Sequence, residues 1–432
     1  DKTAPVILGA TDRAPNTHGW YDGDVTVRFT ATDDRSGVTA TTTDKVLGQG
    51  ADQSVTGSAT DAAGNSASDT VSSIHIDKTA PVLTGSFADG WHTGDVTVGW
   101  TCTDPLSGAA AQPADSVVEG EGSNLSATAT CADRAGNRTT TTVSGIKIDR
   151  TAPTTAASVA GDLTNGWYNA DVRFTLEASD NLSEVASTVY SIDGGTPQHY
   201  SGAVSIGTNG AHTVTYWSTD EAGNVEDRTG NSITLKLDKT APTLIGKTTT
   251  APNAKGWYAG DVTVAWTCSD SGSGLDGACP ADSTISGEGS GLGTGASVSD
   301  VAGNVSQAVV DGIKIDATAP TTTASVPPVP ASGWYGDDVE VVLDGHDNLS
   351  GVDTTYYAVD GGAPQRYDGA FAFGAQGTHE IAFWSEDNAG NVEKAGTRIS
   401  LSIDKTAPTT TVLLPSTDSG WYVTSGIPVA FE

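Results

Sequence analysis

The sequence predicts an all-β protein, a tandem array of antiparallel β-sandwich domains. Three observations carry that expectation. The phrase Asp-x-Thr-Ala-Pro opens at Asp1, Asp77, Asp149, Asp238, Asp316 and Asp404, at intervals of 76, 72, 89, 78 and 88 residues. Within each interval apolar and polar residues alternate: Val25, Val27 and Phe29 share one face, and Thr26, Arg28 and Thr30 the other. That is the two-residue period of a half-buried strand. Helical spacing is absent, and turn residues recur roughly every eight to twelve positions, as in a six- or seven-stranded sandwich.

A fixed period sets the domain plan. The repeats span 1–76, 77–148, 149–237, 238–315 and 316–403, and a sixth begins at 404–432. The opening Pro fixes φ and lacks a donor, which blunts the start of the first strand. Next comes Gly-Trp, at Trp20, Trp91, Trp167, Trp257, Trp334 and Trp421, followed by Tyr everywhere except His92 in the second repeat. Asp-Val then opens the alternating run. Val96, Val98 and Trp100, and Val262, Val264 and Trp266, repeat the series of the first domain. A Gly-rich middle follows, and Asp-x-Ala-Gly-Asn closes it at Asp61–Asn65, Asp133–Asn137, Asp220–Asn224, Asp300–Asn304 and Asp387–Asn391. Repeats 3 and 5 are longer. They share Tyr-x-x-Asp-Gly-Gly-x-Pro-Gln-x-Tyr, at Tyr190–Tyr200 and Tyr357–Tyr367, where Asp-Gly-Gly predicts a tight turn in an extra hairpin.

Each of repeats 2 and 4 carries two cysteines. Cys102 and Cys268 hold the same position and continue the inward series, whereas Cys131 and Cys279 do not correspond. Bridges Cys102–Cys131 and Cys268–Cys279 are expected, and they imply an oxidising compartment. Buried free thiols or a metal site are the alternatives.

Strand parity brings three carboxylates to the pole where each repeat begins: the opening Asp, the Asp ending the second strand and the first Asp of Asp-x-Ala-Gly-Asn. The sets are Asp1, Asp33 and Asp61; Asp77, Asp104 and Asp133; Asp149, Asp180 and Asp220; Asp238, Asp270 and Asp300; and Asp316, Asp347 and Asp387. Hard oxygen ligands suit Ca²⁺, so calcium at the repeat junctions is one reading. The other is turn chemistry without a metal, in which Asp accepts backbone N–H groups and Gly-Asn supplies positive φ. Lys2, Lys78, Arg150, Lys239 and Lys405 follow the opening Asp and could pair with it; Ala317 could not. The Gly-Trp motif falls at the opposite pole. Trp20, Trp91, Trp167, Trp257 and Trp334 there cap their own core, pack on the next repeat, or stack on carbohydrate.

The sequence resembles the tandem bacterial Ig-like repeats of secreted and cell-surface proteins. Asp-x-Thr-Ala-Pro, Gly-Trp-Tyr with Asp-Val, and Asp-x-Ala-Gly-Asn carry the likeness across essentially the whole chain. Repeats 3 and 5, with Trp-Ser-x-Asp-x-Ala-Gly-Asn-Val-Glu at Trp217–Glu226 and Trp384–Glu393, look like the outer-membrane-protein-L type. The resemblance implies an Ig-like fold and an extracellular setting.

Composition bounds the function. Lys and Arg number 21 against 53 Asp and Glu, for a formal charge of −32. Such a surface excludes nucleic-acid partners. No apolar stretch approaches the ~20 residues that cross a bilayer. Met is absent and the chain opens on Asp1, so it reads as an internal piece of a longer protein. The seven His are scattered without metal-ligand spacing; His212 and His379, each before a strand, read as structural. No phosphate loop or dinucleotide fingerprint occurs, and adjacent acids such as Asp33-Asp34 and Asp337-Asp338 mark no single site where every repeat is acidic. The expectation is a non-catalytic extracellular stalk or fibre segment of a bacterial surface protein, its partners neighbouring repeats or other copies of the chain. The alternative is a set of modules in a large secreted hydrolase, binding polysaccharide or a host ligand. Residues 404–432 offer two strands, about 409–414 and 427–431, with Ile427, Val429 and Phe431 expected to face inward. Two strands alone make no core, so covering them needs another chain or copy.

Overall fold

The computed structural model describes residues 1–432 except 395, 415, 417–419, 422–425, 427 and 432. The chain divides into two compact units, Asp1–Gly161 with Asp171–Lys236, and Asp162–Ala170 with Leu237–Glu432.

Repeat 1, in the first unit, shows the plan. Its strands are β1 (Val6–Thr11), β2 (Trp20–Tyr21), β3 (Val25–Thr32), β4 (Val38–Thr41), β5 (Lys45–Leu47), β6 (Gly50–Asp61) and β7 (Ser66–Ile76). One sheet has the order β1-β3-β5 and the other β2-β7-β6-β4. The pairing is antiparallel except at β2, whose Trp20 and Tyr21 run parallel to His75 and Ile76 of β7. The alternation settles the facing. Val25, Val27 and Phe29 are buried and meet Ile74 and Ile76 of the other sheet, while Arg28 and Thr30 are exposed.

Repeat 2 keeps this architecture around Val96, Val98, Trp100 and Cys102, packed on Ile146 and Ile148. The buried Trp100 indole donates to Ser116 Oγ at 2.9 Å, as a buried indole N–H must find an acceptor. Gly85 lies under that ring: a Cβ there would stand 2.6 Å from it. Part of the glycine content is thus room for tryptophan. Repeat 4, in the second unit, repeats the arrangement with Trp266, Ser283 and Gly246. It has five strands against the six or seven expected, because Tyr258 and Leu275 each make only a single bridging pair.

The long repeats carry the extra hairpin. Val185–Ile192 pairs with Gln198–His199, and Val352–Val359 with Gln365–Arg366. Asp193 and Gly194 have φ of 54° and 69°, and Asp360 and Gly361 50° and 71°. Two successive positive φ values make a type I′ turn.

Cys102 and Cys131 are bonded, as are Cys268 and Cys279. In the sixth repeat Val412–Leu413 pairs with Ala430–Phe431. Val429 and Phe431 are exposed rather than inward-facing, because two short strands offer nothing to bury them against. Ile427 lies outside the described residues. No helix of the described residues is long and apolar enough to cross a membrane.

Candidate metal centre

All five predicted acidic triads form. In each, the carboxylates of the opening Asp, the loop Asp and the hairpin Asp offer oxygens lying within 4.8 Å of one another. In repeats 2 to 5 the opening and hairpin carboxylates are buried, and in repeat 1 Asp1 is exposed.

Local turn chemistry builds each triad. The opening Asp makes an Asx turn: Asp77 Oδ1 accepts the Thr79 N–H at 3.0 Å, and Asp149, Asp238, Asp316 and Asp404 do the same with the Thr two residues on. This explains Asp-x-Thr. The loop Asp ends the strand and caps the following turn; Asp104 Oδ1 accepts from Leu106, Ser107 and Gly108. The hairpin Asp closes Asp-x-Ala-Gly-Asn. Asp133 Oδ1 accepts the N–H groups of Gly136 and Asn137 at 2.6 and 2.9 Å, and Gly136 supplies φ of 106°.

Two further residues tie these turns together, and the sequence reading missed both roles. The first is the Ser three positions after the loop Asp. Its backbone N–H donates to the opening carboxylate, from Ser107 to Asp77, Ser183 to Asp149, Ser273 to Asp238 and Ser350 to Asp316, at 2.6–3.1 Å. The second is the terminal Asn of the hairpin. Asn137 Nδ2 donates to Asp133 Oδ2 at 2.7 Å and to the Asp77 carbonyl at 2.9 Å. Asn65, Asn224, Asn304 and Asn391 bracket their own junctions alike. Recurrence of Ser at a fixed offset was the available signal.

Hydrogen bonds lower five of these carboxyls, Asp33, Asp61, Asp77, Asp149 and Asp238. Burial pushes the Asp77 carboxyl up, but donors from Thr79 and Ser107 outweigh it and hold it below the usual carboxylate range. Asp149 and Asp238 follow the same balance, with donors at Ser183 and Thr151, and at Ser273 and Thr240. The Gly37 N–H chiefly lowers Asp33. At Asp61 burial again opposes, and Asn65 wins.

Three of the basic residues that follow the opening Asp pair elsewhere. Lys78, Arg150 and Lys405 reach back to Asp24, Asp95 and Asp338, the Asp-Val acids of the preceding repeats. The reason is reach: the Asp carboxylate turns into its own repeat while the next side chain faces the previous one. Junctions are further fixed by the backbone. The N–H groups of Asp77, Asp149, Asp238, Asp316 and Asp404 donate to the carbonyls of Tyr21, His92, Tyr168, Tyr258 and Tyr335 at 2.8–3.0 Å.

The Gly-Trp side chains lie beside their own last strands. Trp20 packs 5.2 Å from the His75 ring, and Lys147 and Lys314 sit over Trp91 and Trp257. Trp167 is half-buried and Trp334 is 45% exposed. Contact with the next repeat comes instead from the Asn upstream. Asn16 Nδ2 reaches the carbonyls of Arg134 and Ala135, Asn253 reaches Asn388, and Asn165 reaches Val301, all in Asp-x-Ala-Gly-Asn hairpins.

The long repeats hold one more polar core feature that was not foreseen. Glu226 is buried and accepts from Thr155 N–H at 2.7 Å, Thr155 Oγ1, and Ser218 N–H at 3.0 Å. Glu393 repeats this with Thr322 and Ser385. Its sign in the sequence was the extension of the hairpin to Asn-Val-Glu.

No protein-family model matches the chain, and no curated protein matches it. Among solved structures, five extracellular cadherin domains of protocadherin gamma B2 are similar at 9% identity and a TM-score of 0.32, covering 94% of each chain. A bacterial ice-binding adhesin is similar at 12% identity and a TM-score of 0.27, over 59% of this chain and 99% of that one. Fibronectin(III)-like modules of Clostridium thermocellum CbhA are similar at 10% and 0.17, over 57% and 93%. At these scores no functional conclusion passes between the chains.

Proposed function

We propose that the chain is a non-catalytic, extracellular structural segment of a bacterial surface protein, built from bacterial Ig-like repeats joined without linkers. One observation carries the reading. At every junction the opening Asp N–H donates to the Tyr or His carbonyl of the preceding Gly-Trp motif, so the last strand of one repeat runs directly into the next. A chain of independent binding modules has no need of the same lock at each joint. The Lys78–Asp24 type of ion pair adds a second tie, and the two disulfides fit an oxidising compartment. His75, Lys147 and Lys314 lie against the rings of Trp20, Trp91 and Trp257, which leaves less of each ring for sugar stacking.

Force spectroscopy of the full chain tests the mechanical role. Five separate unfolding steps are expected, each releasing roughly 250–300 Å of chain at ~3.5 Å per residue. The repeat 2 step shortens by about 100 Å while its 29-residue disulfide loop stays closed. Collapse in a single low-force step overturns the reading. A glycan array probed with the same chain is expected to stay silent.

A further inference from the structure

We infer that the triads of repeats 2, 3 and 5 each bind one calcium ion, and that those of repeats 1 and 4 are weaker sites of the same kind. Clustered acids alone do not require this, since turn chemistry accounts for most of their oxygens. What turn chemistry leaves over is the argument. In these three repeats one oxygen of the loop Asp, namely Asp104 Oδ2, Asp180 Oδ1 or Asp347 Oδ1, is shut off from solvent and accepts no hydrogen bond among the described residues. Ser183 is 3% exposed, its backbone N–H donates to Asp149, and its hydroxyl is shut off from solvent without a partner in hydrogen-bond geometry. Ser350 Oγ is left in the same way in repeat 5.

A buried carboxylate oxygen without a donor is among the most unfavourable states a polar atom can occupy. Here each such oxygen stands among two more buried carboxylates, and Lys78 and Arg150, the cations next in sequence to Asp77 and Asp149, are engaged at Asp24 and Asp95. A hard divalent cation resolves all of this at once. Ca²⁺ takes oxygens at about 2.4 Å, so two of its ligands lie at most ~4.8 Å apart, and every triad meets that bound. Carboxylates, a hydroxyl and water make an all-oxygen set, which does not suit zinc. The backbone-fixed turns impose an irregular arrangement that Ca²⁺ accepts and Mg²⁺, with its octahedral demand, does not. Repeats 1 and 4 bind more weakly because Asp33 and Asp270 leave no such stranded oxygen among the described residues and because Asp1 is exposed. The ion would join the opening Asp of each repeat to both turns beneath it. This inference is independent of the structural role proposed above: a silent force curve leaves it standing, and absence of calcium leaves the backbone lock intact.

The test is isothermal titration and scanning calorimetry of the EDTA-stripped full chain with CaCl₂, and separately with MgCl₂. Calcium is expected at a stoichiometry of at least three per chain. At 100-fold over Kd the affected endotherms should rise by roughly 10–20 °C. Asp104→Asn, Asp180→Asn and Asp347→Asn keep an oxygen for the turn cap and remove the charge, so each should delete one of the tighter sites. Absence of binding at millimolar calcium overturns the inference, as does equal binding of magnesium or an unchanged stoichiometry in the three folded variants. The wild-type stoichiometry needs no substitution and is decisive even where a variant fails to fold.

Discussion

Asn137→Ala should unfasten the second repeat from its own first residues. Asn137 Nδ2 donates to the carboxylate of Asp133, which is 2% exposed, and to the carbonyl of Asp77, which is fully buried. The first bond goes to a charged acceptor, worth ~1.5–3 kcal/mol; the second goes to a neutral one, worth ~0.5–1.5 kcal/mol. The backbone N–H of residue 137 keeps its bond to Asp133 Oδ1 in the variant, so the loss is confined to the amide. The expected destabilisation is about 2–4 kcal/mol. In a domain of this size each kcal/mol moves Tm by roughly 4–8 °C, so the repeat 2 endotherm should fall by roughly 10–30 °C. Scanning calorimetry of the full chain in EDTA reads this, and Asn124→Ala, which loses only an exposed bond from Gly145, serves as control. Asn137→Asp should fall further, since it sets a second carboxylate against Asp133. A shift below about 3 °C, or one equal to the control, refutes the argument that the amide holds the junction.

Breaking the disulfides should act unequally. Loops of 29 and 11 residues give about 3.6 and 2.8 kcal/mol of chain entropy, so Cys102→Ala with Cys131→Ala should lower the guanidinium midpoint of repeat 2 more than the corresponding pair lowers repeat 4. The hairpin histidines predict a pH window. His212 and His379 are raised by their bonds to Asp193 and Asp360, and those acids are lowered in turn, first by the histidine. The histidine contribution is therefore complete below about pH 6.5 and lost as pH rises through the folded value; the aspartate contribution is present above about pH 4 and lost below it. The Tm of repeats 3 and 5 should peak between, and His212→Gln with His379→Gln should abolish the alkaline decline. Glu226→Ala strands the buried Thr155 and Ser218 N–H groups, while Thr155 Oγ1 keeps Ser218 Oγ, and should destabilise repeat 3 by roughly 2–6 kcal/mol, with Glu226→Gln intermediate, as read by guanidinium unfolding.

Much of this fold was legible because its signals were redundant. The period-two run of Val25, Val27 and Phe29 recurs in repeats 1 to 5, and its inward facing follows from burial alone. The acidic triads were legible for a different reason: strand parity fixes which loops share a pole, whatever the side chains do, and the carboxylates met. What escaped depends on side-chain reach. Lys78 was as near in sequence to Asp77 as any cation, yet it pairs with Asp24, 54 residues away. Asn16 gave no hint of its reach to Arg134, because its neighbours describe only its own turn, where it also caps His18 and Trp20. Glu226 stands in the sequence only as the end of a turn motif, and three donors from two strands make it a core residue.

The junction Asp explains why the charge of the chain collects where it does. Its three polar groups address three different elements. In repeat 2 the Asp77 N–H goes back to Tyr21, its carbonyl takes the Asn137 amide, and its carboxylate takes the Ser107 N–H. No other residue type serves all three. Asn would return a donor toward Ser107, and Glu would move the carboxylate one methylene past the Thr79 turn. The loop and hairpin acids are each fixed by their own turns, so three negative charges converge from three separate local requirements, none of which needs the others. Their mutual repulsion is then a cost the repeat carries at each joint, offset by backbone donors and, under the inference above, by calcium. Asp104→Asn in calcium-free buffer therefore separates the two effects. It should raise the Tm of repeat 2 if repulsion dominates without the ion, and the same substitution should lower it once calcium saturates the wild-type chain. A change of the same sign in both buffers would refute this coupling.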